Sequence, residues 1–134
     1  MMAGHVEVFD RAMISGNCLV HQFCRVGTLA MMQGGSAISK DLPPYTVAAR
    51  TNEICGLNII GLRRAGLNSE QRLELKRLYL SLFRSRLNFA AAMAAARDRF
   101  SSTEARNLLD FIAASRRGIC REVGSRERSE TFEE

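Results

Sequence analysis

Two histidines, His5 and His21, are the residues best suited to chemistry in this sequence. An imidazole titrates near neutral pH, so it can take a proton from a hydroxyl group or hydrogen-bond a polar substrate. Gln22 follows His21 directly and adds an amide that can also contact a substrate. An alternative is a zinc site shared between subunits, but two histidines leave such a site without a third protein ligand. We therefore expect neither a metal nor another cofactor.

The basic residues are mostly arginines, since Lys40 and Lys76 are the two lysines of the chain. The net charge is +5. A guanidinium group donates two parallel hydrogen bonds to a phosphate or a carboxylate, which favours a phosphorylated ligand or an acidic partner protein. The sequence contains no nucleic-acid-binding motif, and we do not expect nucleic acid as a partner.

The composition is that of a globular protein, with 134 residues of which 46% are hydrophobic and 25% charged. No apolar run approaches the about 18 residues that a membrane span requires. The N-terminus lacks a basic segment followed by an apolar one, so we expect no signal peptide and a cytoplasmic location. The cysteines form no CxxC pair, and we expect reduced, mostly buried thiols. They are Cys18, Cys24, Cys55 and Cys120.

A six-residue period organises the first third of the chain. One column of the period is apolar throughout: Val8, Ile14, Val20, Val26, Met32 and Ile38. A second column, two places earlier, holds small or β-branched residues: Val6, Ala12, Cys18, Cys24, Ala30 and Ser36. Neither the 3.6-residue period of a helix nor the two-residue period of a strand fits these columns. The pattern predicts a parallel β-helix in which three hexads make one coil and each apolar residue stacks on its equivalent eighteen residues later.

Glycines are expected to provide the turns between the short strands, because they adopt backbone conformations that a β-carbon resists. The candidates are Gly4, Gly16, Gly27, Gly34 and Gly35. The repeat is expected to stop at Pro43 and Pro44, which fix φ and lack a backbone donor.

The chain therefore divides into four predicted regions. Residues 1–45 form the hexapeptide-repeat β-helix, and residues 46–67 an irregular crossing segment. Residues 68–121 form a helical domain with three helices, which begin after Asn68, after Asn88 and at Ser101. The last of these helices is expected to end near Gly118. Residues 122–134 are polar and are expected to be disordered.

Five segments, taken in order, resemble one enzyme family. They are Gly4–Val8, Val20–Cys24, Lys40–Tyr45, Gly56–Arg64 and Ser115–Gly118. Over residues 3–121 the chain resembles the acyl-[acyl-carrier-protein]–UDP-N-acetylglucosamine O-acyltransferases, from their last β-helix coils through their C-terminal helical domain. The resemblance implies a left-handed β-helix and a homotrimer with active sites between neighbouring β-helices. It also implies transfer of a 3-hydroxyacyl chain from acyl carrier protein to the 3-hydroxyl of UDP-N-acetylglucosamine, the first step of lipid A biosynthesis.

The resemblance assigns His5, His21 and Gln22 to the substrate cleft. It places the general base of the family one coil before the position matched by His5, upstream of residue 1. We therefore expect this chain to be a truncated form, with His5 as the nearest retained candidate and with little turnover on its own.

The resemblance also assigns Asn58 and Arg64 to nucleotide binding and Gly34 to selection of acyl-chain length, with room for a longer chain. Two positions depart from the family pattern. Ile60 stands where an acidic residue is frequent, and Ala65 stands where a second basic residue is frequent. We expect nucleotide contacts that are weaker or differently arranged.

Basic residues of the first long predicted helix are candidates for steering acidic acyl carrier protein, although a solvated helix face explains them equally well. They are Arg72, Lys76, Arg77 and Arg84. Two other functions remain open. One is a non-catalytic trimerisation or carrier-binding module of the same fold, and the other is a hexapeptide-repeat acyltransferase for another nucleotide sugar.

Overall fold

The computed structural model describes residues 1–122, which begin with six strands of two residues each. These strands are β1 (Glu7–Val8), β2 (Met13–Ile14), β3 (Leu19–Val20), β4 (Arg25–Val26), β5 (Met31–Met32) and β6 (Ala37–Ile38). Each pairs in parallel with the strand eighteen residues away, so that β1 lies beside β4, β2 beside β5 and β3 beside β6. Successive strands thus belong to three different sheets. The predicted six-residue period and parallel stacking are confirmed.

The apolar column of the repeat fills the interior of these coils. Its last four members are at most 3% exposed: Val20, Val26, Met32 and Ile38. Each such side chain contributes about 1.5–3 kcal/mol when fully buried. Val8 stacks on Val26 as predicted but is 44% exposed, because it lies in the first coil. Within residues 1–122, no strand stacks on the other side of β1 to cover it.

Most turns between strands place a non-glycine residue at the left-handed position; of the predicted glycines, Gly35 occupies it. A positive φ recurs every sixth residue, at His5, Arg11, Asn17, Phe23, Leu29 and Gly35. Each is the third residue of its turn, as in a type II turn, and the Ser36 N–H closes one such turn by donating to the Gln33 carbonyl at 3.0 Å. Gly34 lies one residue before the positive-φ position of its turn. Hydrogen bonds between coils offset the roughly 1–2 kcal/mol that a left-handed non-glycine residue costs.

The segment 46–67 is ordered secondary structure, so its prediction as irregular is wrong. Strand β7 (Thr46–Ala49) adds to β5 in parallel, and β8 (Glu53–Leu57) returns antiparallel to β7. Helix α1 (Ile59–Arg64) follows directly. Arg50 and Asn52 adopt positive φ between the two strands, which lets the chain reverse there without glycine.

Three further helices follow, as predicted: α2 (Ser69–Phe83), α3 (Phe89–Arg99) and α4 (Thr103–Ala113). Asn68 and Gln71 form the reciprocal capping box at the start of α2. The cap of α4 is Ser102 rather than Ser101, and α4 ends at Ala113 rather than near Gly118. Within residues 1–122, no helix is both long and apolar enough to cross a membrane.

The predicted tail begins one residue too early. Glu122 belongs to β9 (Arg121–Glu122), which pairs in parallel with β8. Its carboxylate accepts a hydrogen bond from the Tyr79 hydroxyl at 2.5 Å and pairs with Arg84 at 2.8 Å. Burial and the neighbouring Glu122 carboxylate raise the pKa of Tyr79. The rest of the predicted disordered tail lies outside the described residues.

The cysteines are all free, and three of them are buried. Burial raises the pKa of Cys120 to about 12. Cys55 is the exposed one and lies on β8.

A buried carboxylate connects the stacked strands to α4. Asp41 is 1% exposed and accepts hydrogen bonds from the Arg25 backbone (2.8 Å), from the Arg25 guanidinium (3.0 and 3.1 Å) and from the Ser115 hydroxyl (2.8 Å). The same guanidinium donates to the Phe111 carbonyl oxygen at 2.7 Å and lies 4.0 Å from the centre of the Phe111 ring. An ion pair removed from water is stable only when such bonds satisfy both charges.

Asp41→Ala is expected to lower the free energy of unfolding by about 3–5 kcal/mol, because it leaves a partly buried guanidinium unpaired. Ser115→Ala removes a single hydrogen bond to the same carboxylate and should cost about 1 kcal/mol. Urea titrations followed by circular dichroism measure both losses. Equal losses in the two variants would contradict a central role for Asp41.

Gly35→Ala is expected to lower the free energy of unfolding by about 1–2 kcal/mol, because its φ of +77° lies in the left-handed region. The neighbouring Gly34→Ala is the matched control. Gly34 does not have a left-handed φ, and a β-carbon there would meet its nearest atom, the Gly16 carbonyl oxygen, at 3.6 Å. Gly34→Ala should therefore leave stability unchanged or raise it slightly. Thermal unfolding of the two variants tests which of the two glycines holds the left-handed position of the turn.

Candidate functional site

Two stacked turns carry the predicted histidines. The first spans residues 3–6 and the second residues 21–24; we call them the histidine turns. The Ala3 N–H donates to the Val20 carbonyl at 3.0 Å, and the Glu7 N–H donates to the Cys24 carbonyl at 3.1 Å. These bonds hold one turn above the other. His5 and the His21–Gln22 pair therefore lie at the same corner of the stacked strands.

The imidazole of His5 lies against the ring of Phe23, its equivalent one coil later. Their ring centroids are 5.3 Å apart and the planes differ by 13°. His5, His21 and Gln22 are all exposed, so this corner can contact a substrate from solvent. Cys24 is the last residue of the second turn, and its side chain is buried. Burial raises the pKa of its thiol. A thiolate partner for His21 is therefore disfavoured.

A cavity of about 530 Å³ lies at the next corner of the strands, between the turns and α1; we call it the α1 cavity. Its lining combines two guanidinium groups, one amide and an apolar floor. The lining residues are Arg11, Met13, Leu29, Met31, Asn58, Ile60, Gly61, Arg64, Ala65 and Gly66. None of them is acidic, so the cavity attracts anions.

Asn58 attaches α1 to the stacked turns. Its side-chain oxygen accepts a hydrogen bond from the Gly61 N–H at 3.1 Å, and its side-chain nitrogen donates to the Leu29 carbonyl at 2.9 Å. A β-carbon on Gly61 would lie 2.3 Å from that nitrogen, so this close approach requires glycine. Asn58 thus caps α1 and orients it. Arg64, six residues along the same short helix, reaches the α1 cavity as a consequence.

Two further lining residues of this cavity are apolar. Ile60 is 66% exposed at its edge and offers an apolar surface. Ala65 caps α1 and offers a methyl group. Within residues 1–122, the side chain of Arg64 makes no ion pair or hydrogen bond, so it is available to a ligand.

Gly34 is exposed at the third corner, in the turn of residues 33–36. A β-carbon there would have room. The structure therefore distributes the predicted site residues over three corners of one chain. It brings His5, His21 and Gln22 together, and separately Asn58 and Arg64, but it does not unite the two groups in one cavity.

Three cavity residues belong to no motif that marks them in the sequence: Arg11, Met13 and Met31. Arg11 stacks below Leu29, and Met13 pairs with Met31, in the eighteen-residue register. The period alone places these residues beside one another. Their role in a cavity depends on the position of α1, which the period does not specify.

Two of the basic side chains predicted on α2 form hydrogen bonds with other residues of the chain. Arg84 forms two hydrogen bonds with Glu122, at 2.8 and 2.9 Å, so its charge is paired within the chain. Arg72 donates to the Leu67 carbonyl at 2.6 Å. Lys76 and Arg77 are exposed. Within residues 1–122, no three histidine, cysteine or carboxylate side chains converge as a metal site.

The chain is similar to proteins of one family. The family described as UDP N-acetylglucosamine O-acyltransferase, domain 2, matches residues 41–120. A relative from Alkalilimnicola ehrlichii, named acyl-[acyl-carrier-protein]–UDP-N-acetylglucosamine O-acyltransferase, is 42% identical over 122 residues, covering 90% of this chain and 47% of the relative. A relative of the same name from Anaeromyxobacter sp. is 41% identical, with coverage of 90% and 48%.

Solved structures agree with these relatives. The UDP-N-acetylglucosamine acyltransferase of Francisella novicida superposes with a TM-score of 0.87 at 35% identity, covering 94% of this chain and 47% of that one. The enzyme of Bacteroides fragilis gives a TM-score of 0.82 at 42% identity, with coverage of 87% and 46%. The chain spans about half the length of the relatives that it matches. It belongs to the UDP-N-acetylglucosamine O-acyltransferase family.

Proposed function

We propose that this chain takes part in transferring a 3-hydroxyacyl group from acyl carrier protein to the 3-hydroxyl of UDP-N-acetylglucosamine, the first step of lipid A biosynthesis. The α1 cavity carries this proposal. It lies within a fold shared with named acyltransferases, and it presents a guanidinium group, Arg64, beside an apolar floor. A nucleotide sugar has a matching combination, with an anionic diphosphate next to a planar base.

The reaction defines what the site must supply. The sugar hydroxyl attacks the thioester carbonyl, a C–O bond forms and the C–S bond breaks, and the proton of the hydroxyl passes to a base. We assign His5, His21 and Gln22 to contact with the reacting groups, since all three are exposed at one corner. By resemblance the base itself lies before the position of His5. Arg64 and Asn58 hold the nucleotide, and Gly34 leaves space for a longer acyl chain.

The separation of these residues supports assembly of the site between copies. A single chain places the histidine turns and the α1 cavity at different corners. We propose a homotrimer in which the corner of one subunit faces the α1 cavity of its neighbour. The underlying fold is proposed to be a left-handed parallel β-helix, supported by the eighteen-residue register and by the similarity to the Francisella enzyme.

The donor side of the reaction requires a surface for acyl carrier protein. Lys76 and Arg77 remain exposed on α2 and offer positive charge to an acidic partner. We propose a cytoplasmic location, as expected from the sequence. We propose no cofactor, because the thioester already supplies an activated acyl group.

UDP-N-acetylglucosamine is expected to raise the melting temperature of the 134-residue chain, since a ligand that binds only the folded state stabilises it by mass action. Arg64→Gln should weaken binding by about tenfold or more, because a charged hydrogen-bond donor to the diphosphate is lost. Arg86→Gln is the matched control, since Arg86 is exposed and does not line the cavity. A larger shift with UDP-glucose than with UDP-N-acetylglucosamine would argue for a different nucleotide-sugar acyltransferase.

The isolated chain is expected to show no appreciable acyl transfer when mixed with 3-hydroxyacyl carrier protein and UDP-N-acetylglucosamine, because the base of the family is matched to no residue of this sequence. Mass spectrometry of the sugar nucleotide detects the acylated product. Robust product formation that His5→Ala abolishes would contradict this expectation and would make His5 the base. Nucleotide binding without turnover would agree with a binding module of the same fold.

A further inference from the structure

The α1 cavity contains a second cationic residue that comes from a different part of the chain. Arg64 reaches the cavity from α1, and Arg11 reaches it from the turn between β1 and β2. The two residues are far apart in sequence, and the folding of α1 onto the coil brings both to one concave surface. The lining contains two arginines and no carboxylate. Such a cavity favours binding of a multiply charged anion.

The backbone around Arg11 is held by the coils. Arg11 has a φ of +59° as the third residue of its turn, which the Ala12 N–H closes by donating to the Phe9 carbonyl at 3.3 Å. The Leu29 N–H donates to the Asp10 carbonyl at 3.1 Å and attaches this turn to the next coil. Arg11 therefore extends from an ordered position. Its side chain is exposed and, in the described part of the chain, makes no ion pair or hydrogen bond.

Helix α1 cannot supply two cations to the cavity. Arg64 is followed by Ala65, whose methyl group lines the same surface, and then by Gly66. Arg63 is exposed but is not part of the lining. A diphosphate spreads its negative charge over two phosphoryl groups, while one guanidinium can pair with a single phosphoryl group in its bidentate geometry. The other cationic residue of the lining is Arg11, which lies on the coil.

We propose that Arg11 is a second phosphate-binding residue, which together with Arg64 holds the diphosphate of the nucleotide sugar. This inference rests on the proposed function. Met13 and Met31 form the apolar floor between coil and helix and contact the nucleoside, which excludes water from one side of the ion pairs. Positive charge at the cavity thus comes from the turn and from α1, rather than from two neighbouring residues of α1.

The test measures binding of UDP, UDP-N-acetylglucosamine and uridine to the 134-residue chain by isothermal titration calorimetry. Arg11→Gln should weaken both diphosphate ligands by about tenfold or more while leaving uridine unchanged, because only the diphosphate meets the guanidinium. Arg11→Lys should recover part of the loss, since lysine keeps the charge without the bidentate geometry. Arg86→Gln should bind all three ligands like the parent chain.

Each result decides between the two proposals. Unchanged UDP affinity in Arg11→Gln, with a loss in Arg64→Gln, would overturn the role of Arg11 and leave the proposed function standing. Failure of the parent chain to bind any uridine nucleotide would overturn both. Equal losses for UDP and uridine in Arg11→Gln would indicate a damaged cavity instead of a lost phosphate contact, and would also overturn the assignment. Gln and Arg meet the same strain at a positive φ, so the melting temperatures of the two proteins should agree.

Discussion

The buried carboxylate of Asp41 is the constraint on which the arrangement of the two structural regions depends. It accepts hydrogen bonds from the backbone and guanidinium of Arg25 and from Ser115, at distances between 2.8 and 3.1 Å. Arg25 also reaches the Phe111 carbonyl at the end of α4. A charge that is 1% exposed is tolerated only with such complete pairing. The pairing therefore specifies one orientation of the helices on the coils.

The position of the α1 cavity depends on two strands and on Asn58. Strand β7 continues the sheet of β2 and β5, and β8 reverses the chain so that α1 begins beside the turn at Leu29. Asn58 completes the attachment with hydrogen bonds to both sides. The cavity is consequently a product of contact between coil and helix. Its two guanidinium groups come from the two sides of that contact.

The distribution of polar residues over separate corners also has a functional meaning. The exposed imidazoles lie at one corner and the α1 cavity at another. In the proposed homotrimer, rotational symmetry places one corner of a subunit against a different corner of its neighbour. Oligomerisation and catalysis are thereby coupled in the proposed function.

The sequence by itself determined the repeat, because a six-residue period in Val20, Val26, Met32 and Ile38 has no other common structural solution. Local capping signals at Asn68 and Asn88 likewise identified helix starts from short-range hydrogen bonding. The tertiary structure decided the rest. Left-handed turn positions depend on hydrogen bonds between coils, so Phe23 and Leu29 adopt them without glycine. The role of Arg11 depends on where α1 packs, and no local pattern encodes a contact between residues so distant in the chain.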